Sequence, residues 1–125
     1  MTPLVSVVDD DASVRNSLNR LIRSIGMEAK VFASAEEFLN AVHPRKANCL
    51  ILDVRLPGMS GIDLLRHLLA CRCSIPVIFI TAHGSDEVAR SEAASDQTIA
   101  YLIKPFNADE LLDAVNTALK SNPSS

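Results

Sequence analysis

Residues 49–65 read "CLILDVRLPGMSGIDLL", and they hold the pattern from which the fold can be built. Cys49 to Val54 is a short aliphatic run with no alternation of polar residues, the mark of a strand buried on both faces. Leu56-Pro57-Gly58 breaks it. Beyond Gly61, Ile62, Leu65 and Leu69 recur at helical spacing, so a strand is followed at once by an amphipathic helix. A strand buried on both faces and followed by a helix belongs to a parallel sheet, because parallel strands need a crossover that returns over the sheet.

The same unit recurs in both directions. "LVSVV", Leu4 to Val8, is a buried strand, and Val14, Leu18, Leu21, Ile22 and Ile25 form the apolar stripe of a helix that Gly26 is placed to end. "AKVFA", Ala29 to Ala33, predicts a second strand. Ser34 and Glu37 form a capping-box signature for a helix carrying Phe38, Leu39 and Val42, which His43-Pro44 closes. "PVIFIT", Pro76 to Thr81, is the fourth strand, and residues 85–95 predict a helix with a thin apolar stripe of Val88, Ala89 and Ala93. "IAYLI", Ile99 to Ile103, is the fifth strand. A last helix carries Leu111, Leu112, Val115 and Leu119 behind Asn107 as N-cap. Strict alternation of five strands and five helices predicts an α/β fold, a parallel sheet with helices on both faces in three layers.

The 125 residues suit one domain, expected over residues 1–121 with a flexible tail at 122–125. Hydrophobic residues at 48% and charged residues at 22% exclude the disordered and fibrous classes. A net charge of −3 offers no basic face for direct contact with nucleic acid. The sequence has no apolar run long enough for a membrane span and no leader pattern, so a cytoplasmic protein is expected. Cys49, Cys71 and Cys73 fit neither a disulfide framework nor the usual zinc spacing and read as reduced structural thiols, with a redox role for Cys71 and Cys73 as the lesser alternative.

In an open parallel sheet, ligands bind beyond the carboxyl ends of the strands. Those ends carry Asp9 and Asp10 in "VVDDDAS", Asp53, Thr81 and Lys104. Three converging carboxylates repel one another and raise each other's pKa unless a cation compensates. As hard oxygen ligands they suit Mg²⁺, which takes one or two carboxylates together with waters and phosphate oxygens. A carboxylate oxygen can then attack phosphorus to form an aspartyl phosphate, with Lys104 and the Thr81 hydroxyl offering a charge and a donor to phosphoryl oxygens.

From "VVDDD" through "LDVRLPGMSG" and "FITAH" to "YLIKPF", nearly the whole chain resembles the receiver domain of bacterial two-component response regulators, most closely those preceding helix-turn-helix transcription factors. The resemblance implies a flavodoxin-like, doubly wound sheet in the order 2-1-3-4-5. It implies phosphorylation of Asp53 by a sensor histidine kinase, with Mg²⁺ held by Asp10, Asp53 and the backbone carbonyl of Arg55, and by Asp9 through a water. Lys104 would pair with the phosphoryl group, Thr81 would shift onto it and Tyr101 would swing inward as a switch. The face made by the fourth helix, the fifth strand and the last helix would then change to control an output DNA-binding domain or a partner protein, with phosphorylation-dependent homodimerisation as a further implication. The Lys104-Pro105 peptide would be cis. Such a module phosphorylates and dephosphorylates itself but is no dedicated enzyme.

A phosphohydrolase of the haloacid dehalogenase type needs a second Asp two residues after the nucleophile, where Arg55 stands. A pseudo-receiver would lack one of the acids, the Thr or the Lys, and all are present. "SDQTIAY" departs from the family, with Gln97 where a glycine is common, which predicts a reshaped loop before the fifth strand. Asp11 reads as a solvated helix-start charge. Arg55 and His83 stand where the family tunes dephosphorylation, and His67 reads as solvent-facing. The plain alternative for Tyr101 is a half-buried aromatic with its hydroxyl in water.

Overall fold

The computed structural model describes residues 2–41, 46–82 and 94–121. The chain runs β1 (Leu4–Val8), α1 (Ala12–Ser24), β2 (Glu28–Phe32), α2 (Ala35–Asn40), β3 (Cys49–Asp53), α3 (Gly61–Ala70), β4 (Val77–Thr81), β5 (Thr98–Ile103) and α4 (Ala108–Ser121). All strand pairs are parallel, in the order β2-β1-β3-β4-β5. Four helices are seen among the described residues; the helix expected over residues 85–95 falls almost wholly outside them, as do Val42, His43 and Pro44.

Alternation along the strands divides the core. Val8, Leu50, Leu52, Val77 and Phe79 face α2 and α3, where they meet Phe38, Ile62, Leu65 and Leu68. Val5, Val7, Ile51, Ile78 and Ile80 face α1 and α4, against Leu18, Ile22, Leu111 and Val115. The central strands β3 and β4 are buried at every position, which explains their unbroken apolar sequence. The edge strand β5 is only half-buried and ends on exposed Ile103.

The helix ends follow local chemistry. Ser34 Oγ accepts from Glu37 N at 3.1 Å, while the Glu37 carboxylate reaches past the cap to the N–H of Ala33. Ser60 and Asp63 form a full capping box on α3. Both α1 and α3 end in Schellman turns: Gly26, at φ +83°, bonds to Arg23 O while Met27 N reaches Ile22 O. In α3 the left-handed residue is Arg72, at φ 56°, with Cys73 N on Leu68 O at 2.9 Å. Leu69, expected on the apolar face of α3, is 43% exposed; the helix buries Leu64 and Leu68 instead, because its inward stripe lies one residue earlier in the last turn.

Gln97, standing where the family commonly has a glycine, makes contacts of its own. Its Nε2 donates to Cys73 O at 3.2 Å, and its carbonyl accepts from Val77 N at 2.8 Å. The side chain thus ties the entry of β5 to the turn after α3.

Gly61 opens α3 directly over the end of β3, and a Cβ there would lie 2.2 Å from the Asp53 carbonyl oxygen. Backbone on both sides leaves no flexible group to yield. Gly61→Ala is therefore expected to cost about 2 kcal/mol or more. Gly26→Ala, strained in φ but in open space, should cost about 1 kcal/mol. Urea denaturation of the two variants checks the ranking, and equal losses would contradict the close approach.

Candidate functional site

Asp9 follows β1 directly and is fully buried. Its N–H donates to Phe32 O at 3.1 Å, continuing the β1–β2 ladder by one residue. One carboxylate oxygen, Oδ1, accepts from Asp11 N at 2.8 Å. The other, Oδ2, receives Lys104 Nζ at 2.9 Å. Arg15, on the first turns of α1, reaches back so that its guanidinium donates to the Asp9 carbonyl at 2.8 Å. Asp10 is exposed at the mouth, and Asp11 serves as N-cap of α1 by accepting from Ser13 N at 2.8 Å.

Asp53 is the last residue of β3 and is buried. Arg55 N donates to its Oδ1 at 3.1 Å, and Lys104 Nζ approaches its Oδ2 at 3.2 Å. Lys104 follows β5, and its own N–H donates to Thr81 O at 2.7 Å, so the last rung of the β4–β5 ladder places the lysine. Thr81 is buried at the end of β4. The Lys104-Pro105 peptide is cis.

Oxygens of Asp9, Asp10 and Asp53 lie within 4.8 Å of one another. Burial, and secondarily repulsion from Asp9, pushes the Asp53 carboxyl up to about 6 from its ordinary 3.8, against the pull of Lys104. Burial disfavours the Lys104 charge, yet its hydrogen bond to Asp9 and the two nearby carboxylates outweigh this and raise its pKa. Three carboxylates against one ammonium leave a formal charge of −2. An all-oxygen donor set with that charge fits a hard divalent cation.

The structure brings Asp9, Asp10, Asp53 and Lys104 together, with Thr81 on the adjoining strand end. Tyr101 sits three residues before Lys104, opposite Phe79 in the β4–β5 register, with ring centroids 6.3 Å apart and tilted by 40°. His83 lies outside the described residues. Sequence reasoning missed two positioning residues. Arg15 carries only a generic helix-face charge in the sequence. Glu36 accepts from Met59 N at 2.9 Å, tying α2 to the loop after β3; its pKa is lowered chiefly by that bond. Neither has a short-range signal, since each partner lies outside the residue's own helix.

The chain matches the response regulator receiver domain over residues 5–116 and belongs to that family. It is 40% identical over 118 residues to the transcriptional regulatory protein TdiR of Thauera aromatica, covering 94% of this chain and 52% of that protein. The structure of the response regulator StyR superposes with a TM-score of 0.86 at 43% identity, covering 99% of this chain and 62% of StyR. The response regulator TrrA of Thermotoga maritima, solved in complex with Mg²⁺ and beryllium fluoride, gives 0.78 at 27% identity, covering 94% of this chain and all of that one. The chain spans about half the length of the curated relatives it matches. No helix among the described residues is long and apolar enough to cross a membrane.

The raised Asp53 pKa has a definite sign for stability. Because the folded value lies above the unfolded one, the group costs stability at neutral pH, and that cost fades as pH falls from about 6 toward 3.8. In metal-free buffer, Asp53→Asn should raise stability at pH 7.5 by about 1–3 kcal/mol, and the gain should shrink toward zero near pH 4. Urea melts of both proteins across that range check it; a gain independent of pH would contradict the assignment.

Proposed function

We propose that this receiver domain takes a phosphoryl group onto Asp53 from a phosphohistidine of a sensor histidine kinase. The observation that carries this reading is the Lys104 ammonium lodged between Asp9 and Asp53, at 2.9 and 3.2 Å. Asp9 is the more completely enclosed acid, at 0% against 5% exposed, and has the shorter lysine contact. Asp53, slightly open to solvent and with the longer lysine contact, is therefore the acid whose oxygen can be reached by phosphorus.

In the transfer, an Asp53 oxygen forms a bond to phosphorus as the P–N bond of phosphohistidine breaks, and the leaving imidazole takes up a proton. Lys104 turns its charge from the carboxylates to the phosphoryl oxygens, and the Arg55 N–H holds the other Asp53 oxygen in place. Asp9, Asp10, Asp53 and the Arg55 carbonyl would hold Mg²⁺, which when bound offsets the charge of the acids and of the entering phosphoryl group. The complex of TrrA with Mg²⁺ and beryllium fluoride supports this reading for the family site. The chain accepts and slowly loses its own phosphoryl group and turns over no other substrate.

Switching follows from Thr81 moving its hydroxyl onto the phosphoryl oxygen. Tyr101, already against Phe79 on the adjoining strand, then follows inward and changes the surface around β5 and α4. That surface would govern a DNA-binding output domain or a partner, or a phosphorylation-dependent homodimer, in the cytoplasm. The name of TdiR, a transcriptional regulatory protein, supports transcription as the process this surface would govern. An apolar cleft of about 570 Å³, lined by Val14, Leu18, Leu21, Pro105 and Phe106 and reaching Lys104, offers the phosphodonor protein a seat.

Acetyl phosphate with Mg²⁺ should add one phosphoryl group to the native chain by intact mass and none to Asp53→Asn. Lys104→Met should slow the uptake by about 10²-fold. Full uptake by Asp53→Asn would remove the phosphoacceptor assignment.

A further inference from the structure

Away from the acidic site, α3 carries His67 and Cys71 one turn apart, both exposed, with His67 Nε2 3.6 Å from Cys71 Sγ. Neither takes part in the chemistry around Asp53. A tetrahedral ion with metal–sulfur and metal–nitrogen bonds of about 2.3 and 2.05 Å requires its sulfur and nitrogen ligands to stand about 3.6 Å apart. The pair has that separation through a hydrogen bond between the two side chains, and an ion would replace the shared proton between the same two atoms.

We infer that Cys71 Sγ and His67 Nε2 form a two-ligand site for a zinc-class divalent cation, with water or another exogenous ligand completing the shell. The donor set is soft thiolate and imidazole, the opposite of the all-carboxylate cluster around Asp53, so the two sites select different ions. Placement favours a cation too. Cys71 is the C-cap of α3, where the last carbonyls present their negative ends. The Schellman turn through Arg72 and Cys73 fixes that end of the helix. Exposed Arg66 and Arg72 oppose a cation, but both are long side chains that water screens. Asp63, one turn before His67, is held in the capping box with Ser60. Cys49, whose thiol burial pushes up to about 12, is no competitor for the ion.

On binding, the Cys71 thiol loses its proton to solvent and the metal–sulfur bond replaces it, while neutral His67 donates a lone pair; nothing is oxidised or reduced. The pair offers both ligands at once, so losing either should weaken binding at least about tenfold.

The test uses reduced protein, stripped of metal and then kept in excess Mg²⁺ to fill the acidic site, titrated with Co²⁺ as a spectroscopic probe and with Zn²⁺ in competition. Native protein should develop a saturable thiolate-to-cobalt charge-transfer band at one equivalent, which Zn²⁺ abolishes. Cys71→Ser should lose the band. His67→Gln should need at least about tenfold more Co²⁺ to reach it. Circular dichroism of each variant confirms that the fold is kept, and acetyl phosphate uptake should be unchanged in both. A band that survives Cys71→Ser, an identical titration in His67→Gln, or no band in native protein would each overturn the site.

Discussion

Lys104 Nζ holds two carboxylates, 2.9 and 3.2 Å away, that the sheet has withdrawn from water. Burying charge in this way is costly unless it is paired and hydrogen-bonded. Each oxygen of Asp9 and Asp53 has a donor: the lysine on one side and the N–H of Asp11 or Arg55 on the other. The lysine answers one negative charge, and Asp10 adds a third carboxylate at the mouth. The remaining charge is what makes the site receptive to a divalent cation and an electrophilic phosphorus together. A neutral cluster in the same place would have no such demand.

The sheet supplies the convergence and the loops supply the precision. β1, β3, β4 and β5 end on one edge because they are parallel, with a single register shift at Val77/Ile78 where β5 meets β4, and the Lys104 N–H to Thr81 O bond closes that edge. The loop after Asp53 is then held from two directions. Gly61 lets α3 start against the Asp53 carbonyl, and Glu36 on α2 fixes Met59. A nucleophile needs geometry held within a fraction of an ångström, and these contacts come from elements outside the acids themselves.

Much of this is legible in the sequence because the deciding signals are local. The unbroken apolar runs of β3 and β4 name buried parallel strands, and Ser34, Gly26 and Asn107 mark helix ends that the structure shows with their hydrogen bonds. The topology rule then carries the acids, Thr81 and Lys104 to one edge. What escapes depends on tertiary partners or on a residue defying its own propensity. Arg72 adopts the left-handed turn usually given to glycine, and Leu69 faces outward because α3 buries Leu64 and Leu68 in its last turns. Arg15 and Glu36 act on backbone atoms in other elements, and Gln97 replaces the common glycine by bonding to Cys73 O. His67 and Cys71 read in the sequence as a surface residue and a structural thiol, because one-turn spacing alone does not reveal a separation suited to a metal.

The charge balance at the strand ends is tested most directly by calorimetric titration of the folded chain with Mg²⁺ at neutral pH. One-site uptake that disappears when Asp9 and Asp10 are both changed to Asn is the predicted result. Absence of uptake in the native protein, or uptake undiminished in the double variant, would contradict the account.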